Sequence, residues 1–468
     1  MSEADTLFSV LRQSVDADVA SAIERLVRDA PEHALSKINA LDLAAKEGLD
    51  EDCVIAALLN AVQLGILEMS WNVMCPSCAG VLSANRSLKT LDRASYHCAF
   101  CAAGYDTTLD NLVEVTFSVS PRVRKIAAHN PDELTSTEYY RQIFCSSALD
   151  LPADVEKLLE EVTLESVDLP AGERAIISLQ LPEGMAIVFD PVTHTAQFLE
   201  AKGEPTQERQ NLALSFNKVQ VPVETVALRP GPLRLSLENR SGRRVLPAVW
   251  VSNQALDDLL GRRKPVVTAK RLLTNQTFRD IYRTDTLAID QRLKILSLTF
   301  LFSDLKGSTE LYENVGDLVA FDLVKEHFRL LQEIIVSERG AVVKTIGDAV
   351  MATFETPDRA VAAALRMREA MSDLGAQRQR QDLRLKMGIH EGSCLAVTLN
   401  DQQDYFGQTV NIASRIQSLA ASRAILATGN VVQDKQATAV LAANGLTPVE
   451  RRASLRGIVD EMSIFEIP

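Results

Sequence analysis

Apolar positions along this 468-residue chain change their spacing several times, and each change marks a different kind of element. Up to about residue 70 they recur three and four apart, which predicts amphipathic helices. Leu41, Leu43, Ala44 and Leu49 precede a denser run of Val54, Ala57, Leu58, Val62 and Leu64. Gly48 and Gly65 punctuate the segment, so ALDLAAKEGLDEDCVIAALLNAVQLGILE reads as helix, turn, helix. That spacing resembles a helix-turn-helix or winged-helix unit, and it equally suits a small helical packing module. From about 118 to 255 the period shortens to two in RAIISLQL, MAIVFD, TAQFLEA, LRLSLEN and LPAVWVS, with Pro, Gly and Asn between them. Short alternating runs at this spacing predict a β-sandwich or small barrel. Residues 256–290 read as a partly helical connector, and the texture changes once more at Leu293. The expected fold class is therefore α+β and multidomain, with segments 1–117, 118–255, 256–290 and 291–468.

Length agrees, since 468 residues exceed one ordinary core. The apolar stretch from Cys53 to Leu67 is too short, and with Asn60 and Gln63 too polar, to cross a bilayer, so it is expected to be a core helix. The opening MSEADTLFSV carries acids where a signal peptide has Lys or Arg, and a cytoplasmic protein without a membrane anchor is expected. A net charge of −13 argues against a general polyanion binder. Asp50, Glu51 and Asp52 stand where a DNA-reading helix would begin, so nucleic acid is not an expected partner.

Four of the seven cysteines form two pairs, Cys75-Pro-Ser-Cys78 and Cys98-Ala-Phe-Cys101, with 19 residues between them. Two such knuckles can bring four thiolates to one tetrahedral Zn(II) while the intervening chain closes the site. Four thiolates leave no open position for substrate, so the expected metal is structural. His97 adjoins the second pair, which is complete without it.

The last third holds three motifs. In LTFLFSDLKGSTELY an apolar run, Leu298 to Phe302, ends at Asp304 and a Lys306-Gly307-Ser308-Thr309 turn. A strand that delivers a carboxylate, followed by a glycine-containing turn into a helix, suits a cation and a phosphate; the same Asp could simply cap the helix. In AVVKTIGDAVMATF, Gly347-Asp348 separates two apolar strand halves as a hairpin tip would, with Lys344 on the approaching strand. Such a tip can set Asp348 beside Asp304, and two carboxylates together can hold two divalent cations. In QDYFGQTVNIASRIQSLA the pattern after Gly407 is helical, and Asn411 and Arg415 share one face four residues apart. Side by side they could donate to a ribose and to a charged phosphorus centre.

Together these motifs resemble the class III adenylate/guanylate cyclase catalytic domain, over about residues 295–467. The resemblance implies a ferredoxin-like βαββαβ fold that works as a homodimer. It places the two metal-binding aspartates at Asp304 and Asp348, with the backbone carbonyl of Leu305 as a further ligand for two Mg or Mn ions. Adenine selection falls on Lys344 and Asp404, ribose positioning on Asn411 and transition-state stabilisation on Arg415. Gly307, Ser308 and Thr309 would bind phosphate, although Ser308 replaces an aromatic residue common in the family. Arg456 is the nearest candidate for a late phosphate-binding cation, and Lys306 either aids phosphate binding or points to solvent. His390, in GIHEG, is expected to shape a β-bulge rather than act as a base.

Lys344 can donate to adenine N1 and Asp404 can accept from its exocyclic amine, whereas guanine presents the opposite pattern, so ATP is the expected substrate. Residues 1–117 (helical, with a zinc ribbon) and 118–255 resemble the regulatory half that precedes some bacterial cyclase domains. The alternative is a non-catalytic signalling protein whose cyclase-like domain binds a nucleotide or a partner.

Overall fold

The computed structural model describes residues 3–468 except 92–93, 153, 218–224, 283–286, 289, 307–312, 314, 379–383, 401, 422–423 and 457–460. The chain divides into two compact units. One holds residues 1–86, 93–107 and 111–267; the other holds 87–92, 108–110 and 268–468. The boundary at 267/268 thus falls inside the expected connector, and two short pieces from far upstream belong with the C-terminal unit.

The first unit begins with helices Glu3–Ser14, Ala17–Asp29, Ala40–Glu47 and Glu51–Gln63. Asp16, Asn39 and Asp50 each accept hydrogen bonds from two backbone N–H groups in the first turn of the following helix, which lack partners within the helix. The acids at 50–52 therefore serve the helix start, with Asp50 as cap and Glu51 and Asp52 at the positive end of the dipole. Gly48, at φ +66°, ends the third helix in the left-handed conformation that costs glycine least. Among the described residues no helix is long and apolar enough to cross a membrane.

Strand Leu67–Met74 then runs between Val81–Asn85 and Val113–Val119 in a three-stranded sheet. The last of these strands crosses residue 117, so no break separates the expected first two segments. Farther on, a sheet of Arg174–Leu181, Gln210–Phe216 and Gly231–Asn239 accompanies a five-stranded sheet that includes Gly184–Asp190, Thr195–Ala201 and Ala248–Val251. Leu181, Phe216, Leu233, Leu235 and Leu237 of the first share one core with Val188, Leu199 and Val249 of the second, giving a sandwich. An aromatic cluster also ties this region to the cysteines: Phe100, Tyr140, Phe144, Phe189 and Trp250 pack with Cys75, Cys78 and Cys98. Phe100 meets Phe189 and Trp250 edge-on at 5.2 and 5.6 Å. This shared core is the physical reason that residues 1–117 and 118–255 form one unit.

In the second unit the order is β1 (Leu293–Leu305), α1 (Asp317–Ser337), β2 (Ala341–Ile346), β3 (Ala349–Phe354), α2 (Pro357–Gln377) and β4 (Leu385–Leu399). These form a βαββαβ unit with strands in the order β2-β3-β1-β4, each antiparallel to its neighbour. Strand β5 (Gln402–Phe406) pairs with the far end of β4, and helix α3 (Gln408–Leu419) leads to β6 (Ile425–Thr428), parallel to β4. Two further strands, Val449–Ala453 and Met462–Ile467, complete the edge.

Alternation sorts the two faces. Leu301, Met387, Ile389, Ala352 and Phe354 meet α1 and α2 in one core, while Leu426 and Ile464 meet Ile412 and Ile416 of α3 in another. Gly388 lies under α3: a Cβ there would sit 2.3 Å from the Gln417 nitrogen and 2.7 Å from the Ala413 oxygen. The helix backbone reaches the sheet only because that side chain is missing.

Strand β1 bulges between Ile295 and Leu298. The carboxylate of Asp110 accepts from Leu296 N at 2.6 Å and Ser297 N at 3.3 Å, taking up the donors that the bulge turns out of the ladder. Asp110 is buried and also faces the Lys270 ammonium at 3.6 Å. Leu109 and Lys294 share a backbone hydrogen bond of 3.0 Å, and Gln291 donates to the carbonyls of Leu88 and Leu91.

Candidate active site

Register explains how the carboxylates meet. Ser303 of β1 pairs with Val350 of β3, and Ile346 pairs with Ala349 across a two-residue turn of Gly347 and Asp348. Gly347, at φ +65°, supplies the positive φ that a tight hairpin asks of its first central residue. Asp348 at the tip therefore comes beside Asp304, one residue past the last β1–β3 pair. Burial, and then the neighbouring Asp348 charge, push the Asp304 carboxyl up, while hydrogen bonding from Gln417 and the nearby Lys386 oppose the rise. The Oδ2 of Asp348 is buried and meets no hydrogen-bond partner among the described residues. Two adjacent carboxylates, one with an orphaned buried oxygen, fit a divalent cation. Leu305 is buried at the end of β1, paired with Leu385.

Lys344 projects from β2 and its ammonium lies 2.5 Å from Asp404 Oδ2 on β5. Asp404 is 6% exposed and its other oxygen accepts from Tyr405 N at 2.8 Å, so the carboxylate is fixed in orientation. The two side chains expected to read a base are thus together, 60 residues apart in sequence.

One neighbour of this pair carries no motif. Arg279, 8% exposed on the short helix Gln276–Ile281, donates to the carbonyl of Gln403 at 2.9 Å and reaches that of Val343 at 3.4 Å. These are the residues immediately before Asp404 and Lys344. Its guanidinium also lies 5.8 Å from the Tyr405 ring centroid, and Gln276 accepts from Val342 N at 2.8 Å. The helix thereby clamps the strands that carry Lys344 and Asp404 through their backbones. A lone Arg in a polar connector carries no such signal in sequence; the Phe278 and Leu272–Leu273 positions, all buried, were the available hint.

The inward face of α3 carries Thr409, Ile412, Ala413, Ile416 and Gln417. Asn411 lies outside that stripe and is exposed, with Arg415 half-buried four residues on. Among the described residues no hydrogen bond or ion pair links either to Asp304, Asp348, Lys344 or Asp404. Gly307, Ser308 and Thr309 lie outside the described residues. Lys306 is exposed, with its N–H donated to Arg384 O at 2.8 Å, and Arg456 is exposed.

His390 requires a correction. The β1–β4 register runs unbroken through Thr299–Glu391, Phe300–His390 and Leu301–Ile389, and the bulge lies at Ile295/Leu298 instead. His390 is buried with Nδ1 2.8 Å from Thr428 Oγ1, and burial drives its pKa down to about 4. Its role is to hold β4 against β6.

The cysteine pairs sit at two hairpin tips. Cys75 and Cys78 follow strand Leu67–Met74; Cys98 ends strand Ser95–Cys98, and Cys101 precedes Ala103–Asp106. The residue after each pair, Ala79 at φ +55° and Ala102 at φ +50°, turns the knuckle. The four Sγ atoms lie within 4.8 Å of one another, with Cys75–Cys101 and Cys78–Cys98 both at 3.7 Å. A tetrahedral centre with metal–sulfur bonds of about 2.3 Å has edges of about 3.8 Å, so the cradle fits Zn(II). Gly80 N donates to Cys78 Sγ at 3.4 Å, as thiolate ligands require of their surroundings. His97 is exposed and outside the cluster.

Residues 1–280 match a family described as a family of unknown function (DUF5939), and residues 292–456 match the adenylate and guanylate cyclase catalytic domain. An adenylate cyclase of Anabaena cylindrica is 26% identical over 185 residues, 36% of this chain and 36% of that protein. Adenylate cyclase 2 of Rhizobium meliloti is 33% identical over 132 residues, 26% of this chain and 36% of its own. Retinal guanylyl cyclase 1 of Bos taurus is 30% identical over 172 residues, 34% of this chain and 15% of its own. The chain therefore spans about a third or less of these relatives. Among solved structures, the adenylyl cyclase CyaB from P. aeruginosa aligns with a TM-score of 0.34 at 23% identity, over 38% of this chain and 96% of that one. The chain belongs to the DUF5939 family and carries, at its C-terminal end, a class III adenylate/guanylate cyclase catalytic domain.

Proposed function

We propose that this protein is an adenylate cyclase that converts ATP to 3′,5′-cyclic AMP and pyrophosphate in a homodimer. The observation that carries the choice of substrate is the Lys344–Asp404 pair. Each group satisfies the other in the free protein, and each offers adenine the partner that it needs. Lys344 would turn its N–H to adenine N1, an acceptor, and Asp404 would accept from the exocyclic amine. Guanine would set its N1–H against a donor and its O6 against a carboxylate, leaving buried polar groups mispaired. The ion pair given up is half-exposed on the lysine side, so opening it costs on the order of 1 kcal/mol.

Asp304, Asp348 and the Leu305 carbonyl would hold two Mg or Mn ions. Bound there, these supply positive charge to the ribose 3′-hydroxyl and to the departing phosphates. The rest falls to the chain. Asp304 and Asp348 present fixed carboxylates from a strand end and a hairpin tip, on rigid elements that hold the reacting geometry. Asn411 and Arg415 project from α3 outside its packed face, where they can serve a site completed by a second copy. Asn411 would orient the ribose and Arg415 would stabilise the charge gathering on the α-phosphate. Gly307, Ser308 and Thr309 are proposed to receive the outer phosphates.

In the N-terminal unit Cys75, Cys78, Cys98 and Cys101 are proposed to hold one structural zinc, and the unit to regulate the catalytic one.

The test is cyclic nucleotide formation by the full chain with ATP and with GTP, in Mg(II) and in Mn(II). ATP turnover that exceeds GTP turnover, and that falls at least a hundredfold in Asp304→Ala and Asp348→Ala, is the expected result. Equal use of both nucleotides would overturn the base-reading assignment, and full activity in either variant would overturn the mechanism.

A further inference from the structure

A cavity of about 260 Å³ opens wholly within the N-terminal unit, between the start of helix Ala40–Glu47, the segment 141–151 and Lys264. Four basic side chains line it, Lys37, Lys46, Arg141 and Lys264, with His33 beside them; burial lowers the pKa of the Lys37 ammonium to about 8 against the charge of Glu114, and the one carboxylate in the wall is Asp42. That carboxylate is already shared, 2.7 Å from Lys46 and 3.4 Å from Lys264. Lys264 also pairs with Asp150 at 2.9 Å, so Lys37 and Arg141 are the cations of the lining that pair with no carboxylate of that lining.

Neither has a carboxylate partner in the wall of the cavity itself. Lys37 Nζ donates to the carbonyls of Ile143 and Cys145, at 2.5 and 2.7 Å, which leaves one of its three N–H bonds. The buried Glu114 lies behind this loop, and its oxygens accept from Ser147 N, Ser147 Oγ and Asn72 rather than lining the cavity. Arg141 turns one nitrogen to His33 Nε2 at 2.6 Å, which makes the imidazole an acceptor and therefore neutral; its Nη1 also forms a looser ion pair, at 3.7 Å, with Glu138, which lies outside the lining. A recess walled by low-dielectric protein focuses such charge, and a half-satisfied ammonium beside a guanidinium fork suits a compact dianion. The volume lies at the lower edge of small-molecule pockets, too small for a lipid or a folded partner.

We infer that this cavity is a binding site for a small phosphate-bearing metabolite, held chiefly by Lys37 and Arg141. Its walls are joined to the rest of the unit in a way that gives occupancy a consequence. Asn39 caps helix Ala40–Glu47 and donates to the carbonyls of Pro265 at 2.9 Å and Ser147 at 3.4 Å. Ser146 N donates to Ala79 O, in the knuckle just past Cys78. A dianion seated between Lys37 and Arg141 would tie together the helix, the cysteine knuckle and the stretch by which the chain leaves this unit.

The test is calorimetric titration of the full chain, paired with the shift in unfolding temperature, using inorganic phosphate, a sugar phosphate and succinate at constant ionic strength. Saturable binding of at least one of the phosphates, accompanied by a higher unfolding temperature, is expected. Arg141→Gln should weaken it at least tenfold and Lys37→Met should remove it. Should Lys37→Met not fold, Arg141→Gln combined with Lys46→Gln takes its place, since both side chains reach the surface. No saturable binding of either phosphate, binding of succinate alone, or phosphate binding that persists unchanged in Arg141→Gln would each overturn the inference; the last would place the ligand elsewhere, including at the nucleotide site.

Discussion

Replacing Arg279 by Met keeps the aliphatic stem of the side chain and removes only the guanidinium. The 2.9 Å bond to the Gln403 carbonyl is a charged-donor bond, worth about 1.5–3 kcal/mol, while the 3.4 Å contact to Val343 is marginal. Loss of the Tyr405 contact adds about 1 kcal/mol. Against this, Nη1 of Arg279 is buried with no hydrogen-bond partner among the described residues, and its removal returns about 1 kcal/mol of desolvation. The net is about 2 kcal/mol of lost restraint on the strands that carry Lys344 and Asp404. If that restraint is fully expressed in the base-bound transition state, kcat/KM for ATP falls roughly 30-fold. On the proposed base reading GTP turnover does not depend on the pair and should fall much less, so the ratio of the two is the diagnostic quantity. Steady-state kinetics with both nucleotides, beside a thermal melt, measure it. Arg279→Lys should recover part of the ratio through a single donor. An Arg279→Met enzyme with an unchanged ATP-to-GTP ratio would refute the clamp, even if it melted several degrees lower.

Lys344→Glu sets a second carboxylate against Asp404 and should lower ATP turnover at least a hundredfold, read in the same assay; retained ATP selectivity would remove the lysine from base recognition. Cys98→Ser should reduce bound zinc from one per chain to less than a tenth after dialysis, and lower the melting temperature of the N-terminal unit by about 10 °C, as expected for a few kcal/mol. Unchanged zinc content would locate the metal elsewhere. His390 titrates near 4 when folded and about 6.5 when unfolded, so the unfolded chain takes up the extra proton between those values. Its contribution is complete above pH 6.5 and lost as pH falls through 4, about 3 kcal/mol in all. Urea unfolding at pH 7 and pH 4 should show a smaller acid loss in His390→Asn by about that amount, and an equal loss in both proteins would contradict it.

Features set by local geometry were legible in the sequence. The Gly347-Asp348 turn, the strand ending at Asp304 and the Asn411/Arg415 spacing each follow from a period and a punctuation mark, and the two CxxC pairs fix their own geometry. What could not be read depends on packing between distant segments. The shared core of Phe100, Tyr140 and Trp250 merges two expected domains, yet each is an ordinary apolar position in its own stretch. Arg279 works through the backbone carbonyls of other residues, which carry no letter in a sequence. His390 was expected at a bulge, but the kink falls where a carboxylate from nearly two hundred residues upstream can neutralise it.

That carboxylate, Asp110, changes what counts as the catalytic module. The chain makes residues 87–92 and 108–110 long before β1 exists, then completes the whole N-terminal unit, and only afterwards supplies Lys270, Lys294 and Leu296 to meet them. During synthesis Asp110 waits, without the donors it will serve, until some 185 further residues have emerged. The two units are therefore interleaved rather than strung in series. A fragment cut at residue 291 would lose the bulge cap along with the Arg279 clamp, so any low activity in it would report missing masonry instead of a missing activator. The fragment that preserves the cyclase intact has to be made from two pieces of chain, the second beginning near residue 268.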